Sequence, residues 1–286
     1  MGNDQPINNG PPHVSASQLD MLARCGEQYR RVYLEGERLP PGISLVKGTG
    51  LHGGAEANFR QKIESHADMK LRDIVDASVA AYDEAIAGGV AFTPSEASRG
   101  AGLVLAEGRD DVAELATVHA KHQAPNYQPI AVEQEVRLEL PGKPLLGYVD
   151  LIAEANYVDG KPPAEKTVAV VDLKTSGKRK SQREADTSTQ LTVYAAAAPT
   201  LGIVADEMRL DVLVQTPGGT HRQVLSTQRD SRDYAALAAR LNAYHAILAS
   251  GTFVPASPLS WWCSPRWCGF FRTCPYVIGR EKVQDE

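Results

Sequence analysis

Two short apolar runs, GYVDLIAE at 147–154 and TVAVVDLKT at 167–175, flank a Gly/Pro-containing interruption and read as β-strands. Alternate residues of a strand share a face, so Asp172 and Lys174 project together. If the runs pair as a hairpin across 156–166, Asp150 joins them. Two carboxylates beside an ammonium suit a hard divalent cation and a polarised water set against a phosphate, the chemistry of phosphodiester hydrolysis. A lone D-x-K triplet also reads as a solvated surface ion pair. Here the triplet follows the apolar run 168–171, which has the character of a buried central strand, and a charged pair there calls for a chemical reason.

The chain has 286 residues of ordinary globular composition, enough for a sizeable core without disulfides. No apolar run approaches the roughly 20 residues of a membrane span. The opening MGNDQPINNGPP lacks the apolar segment of a signal peptide, and Pro6 stands where the myristoylation pattern needs Ser or Thr. A cytoplasmic protein with a disordered tail over 1–14 is expected. The net charge of −5, taken as a sum, argues against a nucleic-acid partner. Its distribution argues the other way, because the longest basic cluster, Lys174, Lys178, Arg179, Lys180 and Arg183, directly follows the aspartates.

Ser15, Ser17 and Asp20 offer capping side chains for a first helix ending near Leu34. Leu51, Ala55, Phe59 and Ile63 recur every four residues, a second helix with His52 in its first turn. Gly48 to Gly53 matches G-x-G-x-x-G, but no βαβ unit surrounds it and no Walker lysine is present, so nucleotide binding is not expected. Two scaffold helices follow over 71–86 and 95–118, then a long half-buried strand carrying Ile130, Val132, Val136, Leu138 and Leu140. Beyond the basic cluster, a helix over 187–198 places Gln190 and Tyr194 on one face. Leu210, Val212 and Val214 form a further strand, 222–226 pairs with it through Pro217-Gly218-Gly219, and 234–248 is a last helix. This order predicts one α/β domain with additions at both ends.

Of four cysteines, three fall at Cys263, Cys268 and Cys274, and the fourth, Cys25, lies in the first helix. In a cytoplasmic chain such clustering points to metal ligation rather than disulfides. Four thiolates suit a tetrahedral zinc or a four-cysteine iron–sulfur cluster equally, and either would clasp the two ends of the chain together. Trp261, Trp262, Trp267, Phe270 and Phe271 stand ready to exclude solvent from it.

Read in order, these residues resemble the PD-(D/E)XK nucleases of the RecB and AddB type, including the CRISPR-associated and mitochondrial iron–sulfur exonucleases. The likeness runs through SASQLDMLARCGEQYR with Cys25, the segment from Gly48 through His52 to Glu56, GYVD ending at Asp150, DLK at 172–174, QLTVY with Gln190 and Tyr194, and the C-terminal cysteines. It implies a restriction-endonuclease-like α/β core, a mixed central sheet flanked by helices, with an N-terminal helical region and a C-terminal cysteine clasp. A single nuclease domain would run over 15–286, with 15–47 and 254–276 forming the clasp and 48–250 a helical insert plus the core.

The resemblance further implies that His52, Asp150, Asp172 and the Leu173 carbonyl bind one or two Mg or Mn ions. Asp150, Asp172 and Lys174 would then be catalytic, with Lys174 orienting or helping to deprotonate the attacking water. Gln190 and Tyr194 would contact DNA, alongside the basic side chains of Lys178, Arg179, Lys180 and Arg183. Cys25, Cys263, Cys268 and Cys274 would hold a [4Fe-4S] cluster, with structural zinc the alternative. Two departures stand out: four residues separate Cys263 from Cys268 where the family commonly has two, and Val149 rather than proline precedes Asp150.

The expected activity is therefore a metal-dependent exonuclease on single-stranded DNA or DNA ends, in recombination, repair or phage DNA processing. Any ATP-driven resection implies a helicase or recombination partner. Two rivals stand beside it, a non-catalytic DNA-binding or assembly module that keeps the fold with a damaged metal site, and a zinc-clasped endonuclease.

Overall fold

The structure, a computed structural model, describes residues 10–158 and 161–277. Most of the expected disordered tail lies outside the described residues, but its end is held. Val14 is buried and bridges to Leu145, donating its N–H to Pro144 O at 2.9 Å.

In chain order the helices are α1 (Ala16–Arg24), α2 (Gly26–Tyr29), α3 (Ile43–Ser65), α4 (Leu71–Ala87), α5 (Pro94–Arg99), α6 (Ala101–Val118), α7 (Gln182–Asp186), α8 (Thr189–Ala197) and α9 (Ser231–Ser250). The strands are β1 (Gln128–Leu138), β2 (Leu145–Glu154), β3 (Val168–Ser176), β4 (Glu207–Thr216) and β5 (Gly219–Thr227). Among the described residues no helix is long and apolar enough to cross a membrane. The chain divides into two compact units, Pro40–Leu138 with Gly147–Tyr234, and a smaller one made of the residues up to Leu39, Glu139–Leu146 and those from Ala235 onward.

The larger unit is built on one five-stranded sheet in the order β1-β2-β3-β4-β5. β2 pairs antiparallel with β3, β3 parallel with β4, and β4 antiparallel with β5, so the sheet is mixed as expected. β3 is central, and Ala169, Val170 and Val171 are fully buried, which is why that run is unbroken apolar sequence rather than an alternating one. Two parallel neighbours need a crossover, and α7 and α8 supply it between β3 and β4. α8 packs on β1, β3 and β4, while α3 packs on β1 and β3 and is backed by α4 and α6. Phe59 and Ala55 of α3 join Leu151, Val171 and Leu173 in one buried apolar cluster.

Several element boundaries differ from the sequence expectations. α3 begins at Ile43, so His52 lies well past its first turn. The glycine-rich GTGLHGG is thus helix interior, and its glycines let α4 approach: a Cβ on Gly54 would collide with Ser78 Oγ, and one on Gly50 would stand 2.9 Å from Tyr82 Cβ. The helix expected over 95–118 is two helices broken at Gly100 (φ 93), and its cap is Thr93, which forms a capping box with Glu96. Cys25 stands between helices rather than within one, in extended conformation (φ −161, ψ 107).

In the smaller unit that break has a cause. Gly26 N–H donates to Val254 O at 2.7 Å, and a Cβ on Gly26 would meet Val254 N and O at 2.7 Å, so the C-terminal segment passes where only glycine leaves room. α9 seals the same unit. It buries Leu237, Leu241 and Tyr244, whose hydroxyl joins Tyr29 OH at 2.7 Å and donates to Gln18 Oε1 at 3.0 Å.

Candidate active site

The end of β3 carries the charged residues. Asp172 is 1% exposed, whereas the Lys174 side chain is 38% exposed and donates from Nζ to Asp172 Oδ1 at 2.8 Å, as neighbours on one strand face do. The β2–β3 hairpin sets Leu151 opposite Val171, and Asp150 thereby accepts the Leu173 N–H on Oδ2 at 2.7 Å. From α3, His52 Nε2 lies 3.0 Å from the Leu173 carbonyl. A carbonyl only accepts, so Nε2 carries the proton and the Nδ1 lone pair faces Asp150 Oδ1 at 3.9 Å. Of these, His52, Asp150 and Lys174 open into a groove of about 880 Å³, which Glu56, Glu133 and Thr175 also line.

The electrostatics fit a cation. Burial pushes the Asp172 carboxyl up to about 6 against the pull of Lys174, and burial likewise raises Asp150. Burial also lowers the His52 imidazole, keeping it neutral and able to ligate. For Lys174, burial opposes the charge but the Asp172 and Asp150 carboxylates outweigh it, and its net shift is upward. Asp211, in the adjacent strand β4, shows what a purely structural buried aspartate looks like. It is fully buried, Arg222 bonds both its oxygens, and Tyr127 OH donates to Oδ2 at 2.7 Å. Asp172 has one ammonium at its edge, with the Asp150 carboxylate and the His52 imidazole near it. That donor set is the kind hard divalent ions take.

The sequence profile of the PD-(D/E)XK nuclease superfamily matches residues 13–275. The chain belongs to the PD-(D/E)XK nuclease superfamily. Among solved structures, this nuclease is similar to a presumed exonuclease from Eubacterium rectale, at 11% identity and TM-score 0.50, covering 98% of this chain and 95% of that one. It also matches the crystal structure of SSO0001, at 14% identity and TM-score 0.38, covering 97% of this chain and 89% of that one. A comparison with curated protein sequences finds no match.

One residue of the nuclease groove escaped the sequence reading. Single donor atoms of His52, Glu133 and Asp150 all lie within 4.8 Å of one another, a trio able to hold a metal ion. Asp172, drawn to Lys174, is not in that trio. Glu133 sits inside β1 at φ 47, a left-handed conformation that costs a non-glycine residue about 1–3 kcal/mol. Burial, then Asp150 and Glu56, push its carboxyl up to about 7. In sequence Glu133 is one polar residue among the alternating partners of Val132 and Val136, and only its left-handed backbone marks it. Glu133→Gln is expected to weaken Mn binding about tenfold or more, the scale on which groups supporting a metal site act. A calorimetric titration checks this, and an unchanged affinity would remove Glu133 from the metal site.

The other expected site residues are placed as follows. Gln190 is half-buried and donates to Tyr194 OH at 2.5 Å. Tyr194 is 2% exposed and its hydroxyl donates to the Tyr148 carbonyl, so it braces the strand that carries Asp150 instead of facing solvent. Gly147 is small because that ring lies against it, 3.0 Å from where a Cβ would be. Lys178 and Arg179 are exposed in the loop after β3, and Arg183 is exposed on α7. Lys180 is partly exposed and pairs with the exposed Glu184 of α7 at 3.0 Å.

The four cysteines of the nuclease line one cavity in the smaller unit, together with Arg24, Trp262 and Tyr276. None is in a disulfide. Cys25 Sγ accepts N–H groups from Gln28 at 3.4 Å and Ala256 at 3.3 Å. Burial, then Cys274 and Cys25, push the Cys263 thiol up, and burial does the same to Cys268.

Proposed function

We propose that this nuclease is a metal-dependent deoxyribonuclease of the RecB/AddB iron–sulfur type, acting as an exonuclease on single-stranded DNA or DNA ends. The observation that carries the reading is the meeting of His52, Asp150, the Leu173 carbonyl and the Asp172–Lys174 pair at one open groove. His52, Asp150, Asp172 and Leu173 O would hold one or two Mg or Mn ions, with Glu133 beside them. When bound, such an ion supplies charge neutralisation at the phosphate and a more acidic water. Asp172 would fix the metal from its buried position. Lys174, at the mouth, would orient the attacking water and answer the charge developing on the phosphate. Every member of the set is present, which favours an enzyme over the assembly-module reading.

The four cysteines line one cavity, which supports a metal group there, and their likeness to the iron–sulfur exonucleases favours a [4Fe-4S] cluster over zinc. Cys25, Cys263, Cys268 and Cys274 would be its ligands.

Single strands labelled at the 5′ or 3′ end, compared with a circular strand and with and without Mg or Mn, test the activity. Metal-dependent release from an end with the circle spared is the expected result. Cleavage of the circle would favour an endonuclease, and no cleavage with any metal the assembly module. The exposed basic residues carry a separate expectation. Replacing Lys178, Arg179 and Arg183 by Ala should weaken single-strand affinity and reduce the salt slope by about 0.7 for each phosphate that is no longer neutralised. Lys180→Ala should change it less, because Glu184 already neutralises it. An unaltered slope in the triple variant would mean that this cluster is merely solvated.

A further inference from the structure

All three tryptophans of the chain, Trp261, Trp262 and Trp267, lie together beside the cysteine cavity. Trp261 and Trp262 are stacked with centroids 4.2 Å apart and planes at 27°, and Trp267 stands edge-on to Trp261 at 5.4 Å. Only Trp262 lines the cavity. Trp261 is 59% exposed and Trp267 49% exposed, so as shields for the cysteines they are misplaced, and large exposed rings in a cluster mark a binding surface. The guanidinium of Arg24 lies 4.2 Å from the centre of the Trp262 ring and that of Arg266 5.3 Å from the centre of the Trp267 ring.

Charge indicates what the surface takes. The chain has 35 Asp and Glu and a net charge of −5, yet none of those acids falls between Asp233 and Glu281, a span that contains Arg240, Arg266 and Arg272. The carboxylates contributed by the N-terminal helices of this unit are engaged: Glu27 and Glu35 with Arg30, Glu37 with Arg31, and Asp20 with Arg240. An acid-free, arginine-bearing stretch of sequence in an acidic protein complements a polyanion. Flat rings offered to solvent add a second requirement, exposed π-faces on the ligand. Unpaired nucleic acid meets both conditions, whereas the bases of a duplex are already stacked on one another.

We infer that Trp261 and Trp267, with Arg266, form a platform on the smaller unit that stacks the unpaired bases of single-stranded DNA. The inference rests on the deoxyribonuclease reading above. The rings receive bases in sequence-tolerant stacking, and the Arg266 guanidinium meets the backbone, while Arg24 holds Trp262. Trp262 is the structural member, fixed between the platform and the cysteine cavity.

The test uses the full-length chain, purified anaerobically, in an Asp172→Ala background so that the strand survives. Binding of a fluorescein-labelled thymidine oligomer is read by anisotropy. Trp261→Ala/Trp267→Ala is expected to lose about 5- to 150-fold in affinity for each stacked base given up, while Trp261→Phe/Trp267→Phe keeps most of it. Binding of a blunt duplex should be the same in all three proteins. Because every tryptophan of the chain is in this cluster, the emission of the protein with its tryptophans intact should change on saturation with the oligomer, a readout that needs no substitution. Oligomer binding that leaves the emission unchanged, or that is equally tight in the alanine variant, overturns the platform while leaving the nuclease intact. Absence of any oligomer binding, together with absence of cleavage by the chain with Asp172 restored, overturns both readings.

Discussion

Asp172→Ala is expected to abolish DNA cleavage, and Lys174→Ala to retain metal and DNA binding while slowing hydrolysis by about 100- to 1,000-fold, roughly 2.7–4 kcal/mol of transition-state stabilisation. The difference follows from placement. Asp172 is buried and bonded to Lys174, which itself lines the groove, so the aspartate would act through the metal and the ammonium on the water and phosphate. Single-turnover rates on an end-labelled strand, with metal binding by calorimetry, separate the two effects. Cleavage by Asp172→Ala at the parent rate would remove this groove from the reaction. The pH dependence supplies a second check. With the Asp172 carboxyl held up to about 6, its proton must leave for a divalent ion to bind, so affinity should fall as pH drops through that value. The stability term has the matching sign. A carboxyl raised above its unfolded value of about 3.9 favours the metal-free fold at low pH, and that contribution is lost as pH rises toward about 6. Added Mg or Mn should therefore raise the melting temperature more at pH 8 than at pH 5, and Asp172→Asn should flatten the difference.

Cys25→Ser is expected to cost about 4 kcal/mol or more, lowering the melting temperature by roughly 10 °C, the scale of losing a structural metal group. The substitution is chosen to isolate ligation. Cys25 caps α2 through its Sγ, which accepts the Gln28 N–H, and serine is a better helix cap than cysteine. A stability loss then reports the metal group and not the cap. Protein purified anaerobically should absorb broadly near roughly 400 nm and carry about four iron atoms, and Cys25→Ser should lose both. Colourless protein with one zinc would keep the clasp and discard the cluster. Metal-free protein of unaltered stability would discard both.

The sequence alone determined the central strand and the Asp172–Lys174 pair, because both depend on short-range rules. An unbroken apolar run before Asp172 marks a central strand, and a two-residue period puts Lys174 on the Asp172 face. It also determined the hairpin that brings Asp150 in, since the two runs pair as read. The tertiary structure decided what depends on contacts between distant segments. Cys25 lies outside a helix because Val254 crosses at Gly26, and the glycines around His52 serve the α3–α4 crossing, which no local pattern reveals. Tyr194 shares a helix face with Gln190 as expected, yet a buried helix has no solvent face there, and its hydroxyl satisfies a backbone carbonyl of β2. Glu133 enters the groove through a left-handed residue inside a strand. Its side chain is legible in the sequence and its direction is not, because backbone strain of about 1–3 kcal/mol is sustained only by the surrounding fold.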